Sequence, residues 1–103
     1  MMPPMEPVVV VARWQTAGTS LETVLAHLAQ LRSRSLAEPG CLGYEAFQSV
    51  DEPADLVLIE RYRDGDALDA HLNSPRYQEL VVGRIRPLLT DRRVEFLRRR
   101  EAT

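Results

Sequence analysis

Lysine is absent: all thirteen basic residues are arginine, which excludes Schiff-base catalysis, since that chemistry needs a side-chain primary amine. Cysteine is nearly absent too. Cys41 stands alone, so no internal disulfide can form, and no Cys/His cluster has zinc-site spacing; no structural metal is expected. Long apolar runs are missing. The longest, Val8 to Ala12, falls well short of the roughly 20 residues of a membrane span or the roughly 7–15 of a signal core. The expected location is therefore the cytoplasm, with no membrane partner. A net charge of −2 gives no general attraction to phosphate backbones, so nucleic acid is not an expected partner. Phosphate loops, dinucleotide fingerprints and serine nucleophile elbows are also absent.

What remains is a folded-protein composition, 45% hydrophobic and 27% charged over 103 residues, enough for one domain. Residues 1–7 carry three prolines and no periodicity and read as a flexible leader. Residues 8–98 read as the domain and 99–103 as a tail. The chain turns on Glu38-Pro39-Gly40-Cys41-Leu42-Gly43-Tyr44. Pro39 cannot continue a helix, and Gly40 is expected to supply a positive φ that reverses the chain. A strand and a helix precede this turn; two strands, further helix and a last strand follow it. The order is βαββαβ.

Val8 to Trp14 is a β-branched run, apolar at odd and even positions alike in its first half, as is Leu56 to Ile59 in the third strand. Strands apolar on both faces are covered on both faces. One layer of helices covers one face only, so a second copy of the chain is expected on the other. A carboxylate at Val10 or Leu58 is expected to dissociate or unfold the protein. Thr19 and Glu22 match a capping box ahead of a helix from Leu21 to Leu36. Arg32 lies near that helix's apolar face, as a functional guanidinium or a stem reaching to water. Cys41 to Val50 alternates as a strand, Asp64 suits an N-cap, and Ser74-Pro75 restarts helix until Pro87. Arg92 to Arg98 is the last strand.

At about 100° per residue, His71 falls on the inward side of its helix with Leu68 and Leu72. It is either a buried histidine satisfied by one partner or a base at a cavity mouth. Arg13 and Trp14, Tyr44, and Glu60 and Tyr62 lie where apolar strands turn polar, where a pocket mouth forms. Each can equally be a core-edge residue. Cys41 has neither a helix N-terminus behind it nor a histidine nearby to activate it.

The Val8–Trp14 run, the Glu38–Tyr44 turn, Ile59-Glu60-Arg61-Tyr62-Arg63-Asp64, Ala67 to Pro75 and Ile85-Arg86-Pro87-Leu88-Leu89 together resemble the antibiotic biosynthesis monooxygenase family. The resemblance implies an α+β, ferredoxin-like fold: an antiparallel sheet with helices on one face, paired with a second subunit as a dimeric α+β barrel. It also implies cofactor-free oxidation of a quinol or anthrone-type aromatic by O2. His71 is then the base or relay, Arg13 or Arg86 the anion stabiliser, and Trp14, Tyr44 and Tyr62 the walls, with Glu60 beside them. The haem-degrading branch matches poorly, because Ala12 and Val81 stand where it has an asparagine and a haem-ligating histidine. An isomerase on a small carbonyl compound, or a non-catalytic dimeric ligand-binding or stress protein, are the alternatives on this scaffold.

Overall fold

The computed structural model describes residues 6–100. Much of the expected leader (1–5) and the end of the tail (101–103) lie outside the described residues. β1 (Val8–Thr16) runs at the sheet's centre, and β3 (Asp55–Tyr62) and β4 (Leu89–Arg98) flank it, both antiparallel. β2 (Cys41–Gln48) pairs with β3, giving the order β2-β3-β1-β4. With α1 (Leu21–Leu36) and α2 (Gly65–Leu72) between strands, this is the ferredoxin-like α+β arrangement. Among the described residues no helix is long and apolar enough to cross a membrane.

Alternation along β1 and β3 sorts the sheet's two faces. Val8, Val10, Ala12 and Trp14, with Leu56, Leu58, Glu60 and Tyr62, are buried beneath the helices. Val24, Leu28 and Leu31 of α1 close the main core over Ala12, Trp14, Leu56 and Leu58. Burying each such side chain contributes about 1.5–3 kcal/mol. The other face carries half-buried Val9, Val11, Val57 and Ile59, with Phe47 of β2 at 48% exposure and Leu97 of β4 at 44%. Val11 sits opposite Ile59, and Val57 opposite Phe47. Val10 and Leu58 point into the core instead, so a carboxylate there disrupts the helix-covered face and says nothing about the open one.

Several local expectations change. α1 starts after a 3-10 turn, Gly18–Ser20, in which the Ser20 amide donates to the Ala17 carbonyl at 2.8 Å. Ser20 is therefore the N-cap, without a side-chain bond, and the capping box of Thr19 and Glu22 does not form. β2 ends at Gln48, not Val50, and a bulge at Leu42 shifts its alternation, so Cys41 faces Tyr62 while Leu42 is turned out to 61% exposure. Arg32 donates from Nε to the Tyr44 carbonyl at 2.8 Å, satisfying a backbone acceptor of this edge strand. β4 begins at Leu89, earlier than Arg92, because a 3-10 turn at Arg86–Leu88 absorbs Pro87.

Helix resumes after Ser74 as expected, with the serine Oγ accepting from the Tyr77 amide at 3.2 Å. It then widens into a π-helix over Tyr77–Ile85, burying Leu80, Val81 and Ile85. The wider turn brings Leu80 and Ile85, five apart, onto one face, whereas an α-helix would set them about 140° apart.

Gly40 is needed for a reason other than the expected one. No described glycine has a positive φ. A Cβ at Gly40 would collide with the Ala67 Cβ of α2, while its carbonyl accepts from the Arg63 amide at 2.8 Å. The turn must press against α2 backbone-close. Gly40→Ala is expected to lower stability by about 1–3 kcal/mol, measured by urea unfolding, and Ala67→Gly in the same chain to restore part of it. A Gly40→Ala variant as stable as the parent would contradict this packing.

Candidate functional site

α2 is anchored at its start by Asp64, whose carboxylate accepts from the Ala67 amide at 2.8 Å. That bond holds the Asp64 carboxyl below the usual carboxylate range. One turn later Leu68 and His71 face inward, and His71 is buried. The Glu38 turn, pressed onto the same helix through Gly40, places Glu38 Oε1 at 2.9 Å from His71 Nδ1. From the sheet, β3 alternation aims Glu60 at the ring's other side, with Oε1 at 3.6 Å from Nε2. Tyr62, two residues on, donates its hydroxyl to the same Glu60 oxygen at 2.7 Å. The Tyr62 and Tyr77 rings flank the imidazole at 5.0 Å and 5.3 Å. One histidine thus stands between two carboxylates from distant parts of the chain.

Burial pushes the Glu60 carboxyl up from its ordinary value of 4.5. The Tyr62 hydrogen bond and the His71 charge pull it back in part, and Glu38 adds a smaller push upward. Burial likewise raises the Tyr62 phenol, and the Glu60 carboxylate adds to the effect. Burial raises Tyr44 as well. Both phenols stay protonated, so Tyr62 is a fixed donor to Glu60. Because Glu38 and Glu60 face opposite nitrogens of one ring, they do not converge on a common point. Among the described residues no group of three or more His, Cys, Asp or Glu side chains is arranged to hold a metal ion.

Glu60 also lines a chamber between the sheet and the helices, walled by Trp14, Tyr44, Tyr77 and Phe96 and rimmed by Arg92. Ala12 and Val81 line it too and offer no ligating atom. Its volume is ≈ 30 Å³, room for about two waters, whereas sites for small molecules run to about 300–1,000 Å³. As it stands the chamber is too small for such a molecule. Its one buried side-chain donor without a partner is the Trp14 Nε1–H. A larger depression of ≈ 760 Å³, lined by Glu6, Val9, Leu42, Arg61, Leu97, Arg98 and neighbours, has among the described residues no histidine and one carboxylate, which pairs with Arg98 at 3.7 Å. The titratable cluster adjoins the small chamber, not the larger hollow.

The profile of the antibiotic biosynthesis monooxygenase family matches residues 7–82. The chain belongs to the antibiotic biosynthesis monooxygenase family. Rv0793 of Mycobacterium tuberculosis is 39% identical over 71 residues, covering 69% of each chain. Its solved structure superposes with a TM-score of 0.86 at 34% identity, over 93% of this chain and 97% of that one. A crystal structure titled antibiotic biosynthesis monooxygenase superposes at TM-score 0.83 and 27% identity, over 93% and 98% of the two chains. PA3566 of Pseudomonas aeruginosa does so at 0.84 and 28%, over 97% and 100%.

Within this family member, the residues singled out from the sequence divide four ways. Trp14, Tyr44 and Glu60 line the chamber, and His71 stands directly behind Glu60. Tyr62 is fully buried, does not line the chamber, and orients Glu60 through its hydroxyl. Arg13 lies on the opposite face of the sheet, because β1 alternation sends it away from Trp14, and it takes no part here. Arg86 is exposed at the rim, its Nη2 at 3.5 Å from the Tyr77 hydroxyl. Glu38, Tyr77 and Arg92 were missed. Arg92 alone left a signal, since period-two alternation back from Val94 puts it on the chamber side.

Glu60 sets the sign of a pH effect. Its raised value means the folded chain holds a proton that the unfolded chain has released, so stability falls as pH rises above about 4.5. Glu60→Gln removes that contribution. Urea unfolding between about pH 5 and about pH 8 is expected to show a flatter decline in the variant than in the parent. Parallel declines would contradict the assignment.

Proposed function

We propose that this chain is a cofactor-independent monooxygenase that oxidises an electron-rich aromatic, of quinol or anthrone type, with O2. The observation that carries the reading is the line Glu60, His71, Glu38: a desolvated carboxylate on the chamber wall, a buried imidazole behind it, and a carboxylate whose side chain is 27% exposed at the far end. Glu60 is the group that meets the substrate. His71 is the relay through which the proton passes to Glu38 and solvent. This differs from His71 as the direct base, because His71 does not line the chamber.

Deprotonation is the step that matters. Triplet oxygen reacts slowly with closed-shell molecules, but an aromatic anion passes it one electron. The radical pair then forms a carbon–oxygen bond, and the hydroperoxide loses water to leave a carbonyl. The substrate supplies all the electrons, so one oxygen atom enters the product and the other leaves as water, with no external reductant. A buried carboxylate, a fixed donor and a dry chamber are the requirements on the protein. The Nε1–H of Trp14, a chamber-lining residue, has no partner, which supports a role in meeting an oxygen of the substrate anion. Family membership supports the reading, as does the provisional naming of Rv0793 as a monooxygenase.

Oxygen uptake on quinols and anthrones, corrected for autoxidation, is expected from chelator-treated protein. Glu60→Gln and His71→Gln are expected to lower kcat by about 10²–10⁴, and Glu38→Gln less, since water can replace an exposed relay end. Full anaerobic turnover would instead favour an isomerase on the same residues.

We also propose that a second copy covers the open sheet face, completing a dimeric barrel. The half-buried row Val9, Val11, Val57 and Ile59, extended by Phe47 and Leu97, supports this. Light scattering at micromolar concentration is expected to give twice the chain mass, and Val11→Asp or Ile59→Asp a monomer. A monomeric parent protein would contradict the pairing.

A further inference from the structure

We infer that the mouth of the chamber is a carboxylate site, so that the aromatic bound there carries an anionic substituent in addition to the acidic group that Glu60 meets; this rests on reading the chamber as the reaction site. Arg86 comes from the turn after the π-helix and Arg92 from β4, and both aim Nη2 at one oxygen, the Tyr77 hydroxyl, at 3.5 Å and 3.4 Å. A neutral phenol is a poor acceptor for two guanidiniums, and both contacts are long. Like most of the chain's arginines, Arg86 and Arg92 have no carboxylate within ion-pair distance among the described residues; what sets these two apart is that both meet one oxygen. Two like charges converge where no anion answers them. That arrangement is unfavourable by itself and becomes favourable when a carboxylate sits between the forks.

The surrounding chemistry agrees. Arg92 pairs in register with Trp14 across β4 and β1, so the rim guanidinium and the unpartnered indole donor come from facing positions on one side of the sheet. Donors gather at the mouth, and the acceptor Glu60 stands on the wall. The other walls are aromatic: Tyr44, Tyr77 and Phe96. A ring with a carboxylate toward the arginines and an ionisable hydroxyl toward Glu60 matches both ends. Tyr77 also fills part of the mouth. Its ring stands edge-on to His71 and its hydroxyl occupies the place between the guanidiniums. An incoming carboxylate takes over those contacts and displaces the hydroxyl, which favours a carboxylate-bearing ring over one without.

Gentisate and hydroquinone test this, because they differ by one carboxylate and both are quinols. Calorimetric titration under anaerobic conditions is expected to show gentisate binding about tenfold tighter than hydroquinone, or better. Added salt should weaken gentisate alone. Arg92→Gln and Arg86→Gln are each expected to remove most of that preference while leaving hydroquinone affinity within about twofold. Tyr77→Phe, which deletes the competing hydroxyl, should tighten gentisate. Equal affinities, no detectable gentisate binding, or a preference that survives both arginine substitutions would overturn the inference. Admitting oxygen afterwards separates the two claims. Selective gentisate binding without oxygen uptake upholds the anion site and removes the oxidation, whereas uptake on hydroquinone with no gentisate preference does the reverse.

Discussion

The buried carboxylate of Glu60 is the constraint around which the site is built. A charge taken out of water costs several kcal/mol unless partners replace the lost solvation, and here each element of the fold delivers one. β3 carries Glu60 and, two residues on, Tyr62, whose phenol donates to it. α2 brings His71 to the same oxygen, and the turn after α1 brings Glu38 to the ring's far nitrogen. A hydrophobic residue at position 60 would satisfy the core with less difficulty. That the chain keeps an ionisable group there is the physical argument for a proton-handling role, since perturbed carboxyls of this kind gather at reaction sites.

Placement of that trio depends on packing as much as on polar contacts. Glu38 reaches His71 because Gly40 lets the turn lie against Ala67 without an intervening side chain. α2 holds its orientation because Asp64 caps its first turn and Ser74 fastens its last, accepting from Tyr77 and donating to the His71 carbonyl at 2.8 Å. Ser74 therefore joins the helix that carries His71 to the segment that carries Tyr77. The Tyr77 ring also packs edge-on against His71 at 5.3 Å, so the mouth and the Glu38–His71 pair share a neighbour.

Much of this fold was legible in the sequence. The two doubly apolar runs, the α1 periodicity, the Asp64 cap and the Ser74-Pro75 restart are local signals, and each element formed where they pointed. His71 was placed inward by helical spacing alone, and Trp14, Tyr44 and Glu60 by their positions at strand ends. What failed was non-local or depended on an atom's direction. Glu38 and His71 are 33 positions apart, and nothing in either neighbourhood announces the contact. Arg13 was a candidate by proximity to Trp14, yet adjacent residues on a strand face opposite ways. Gly40 was assigned a positive φ, and the structure shows a close approach to α2 instead.

Proton passage from the chamber wall to solvent through Glu60, His71 and Glu38 is the central claim, and Glu60 is where it can be read directly. A carbon-detected NMR titration of the Glu60 side-chain carboxyl in the intact protein is the deciding measurement. The account predicts a midpoint above the ordinary carboxylate value that moves again when His71 is replaced by glutamine. A Glu60 carboxyl that titrates like an exposed glutamate, indifferent to His71, would contradict it.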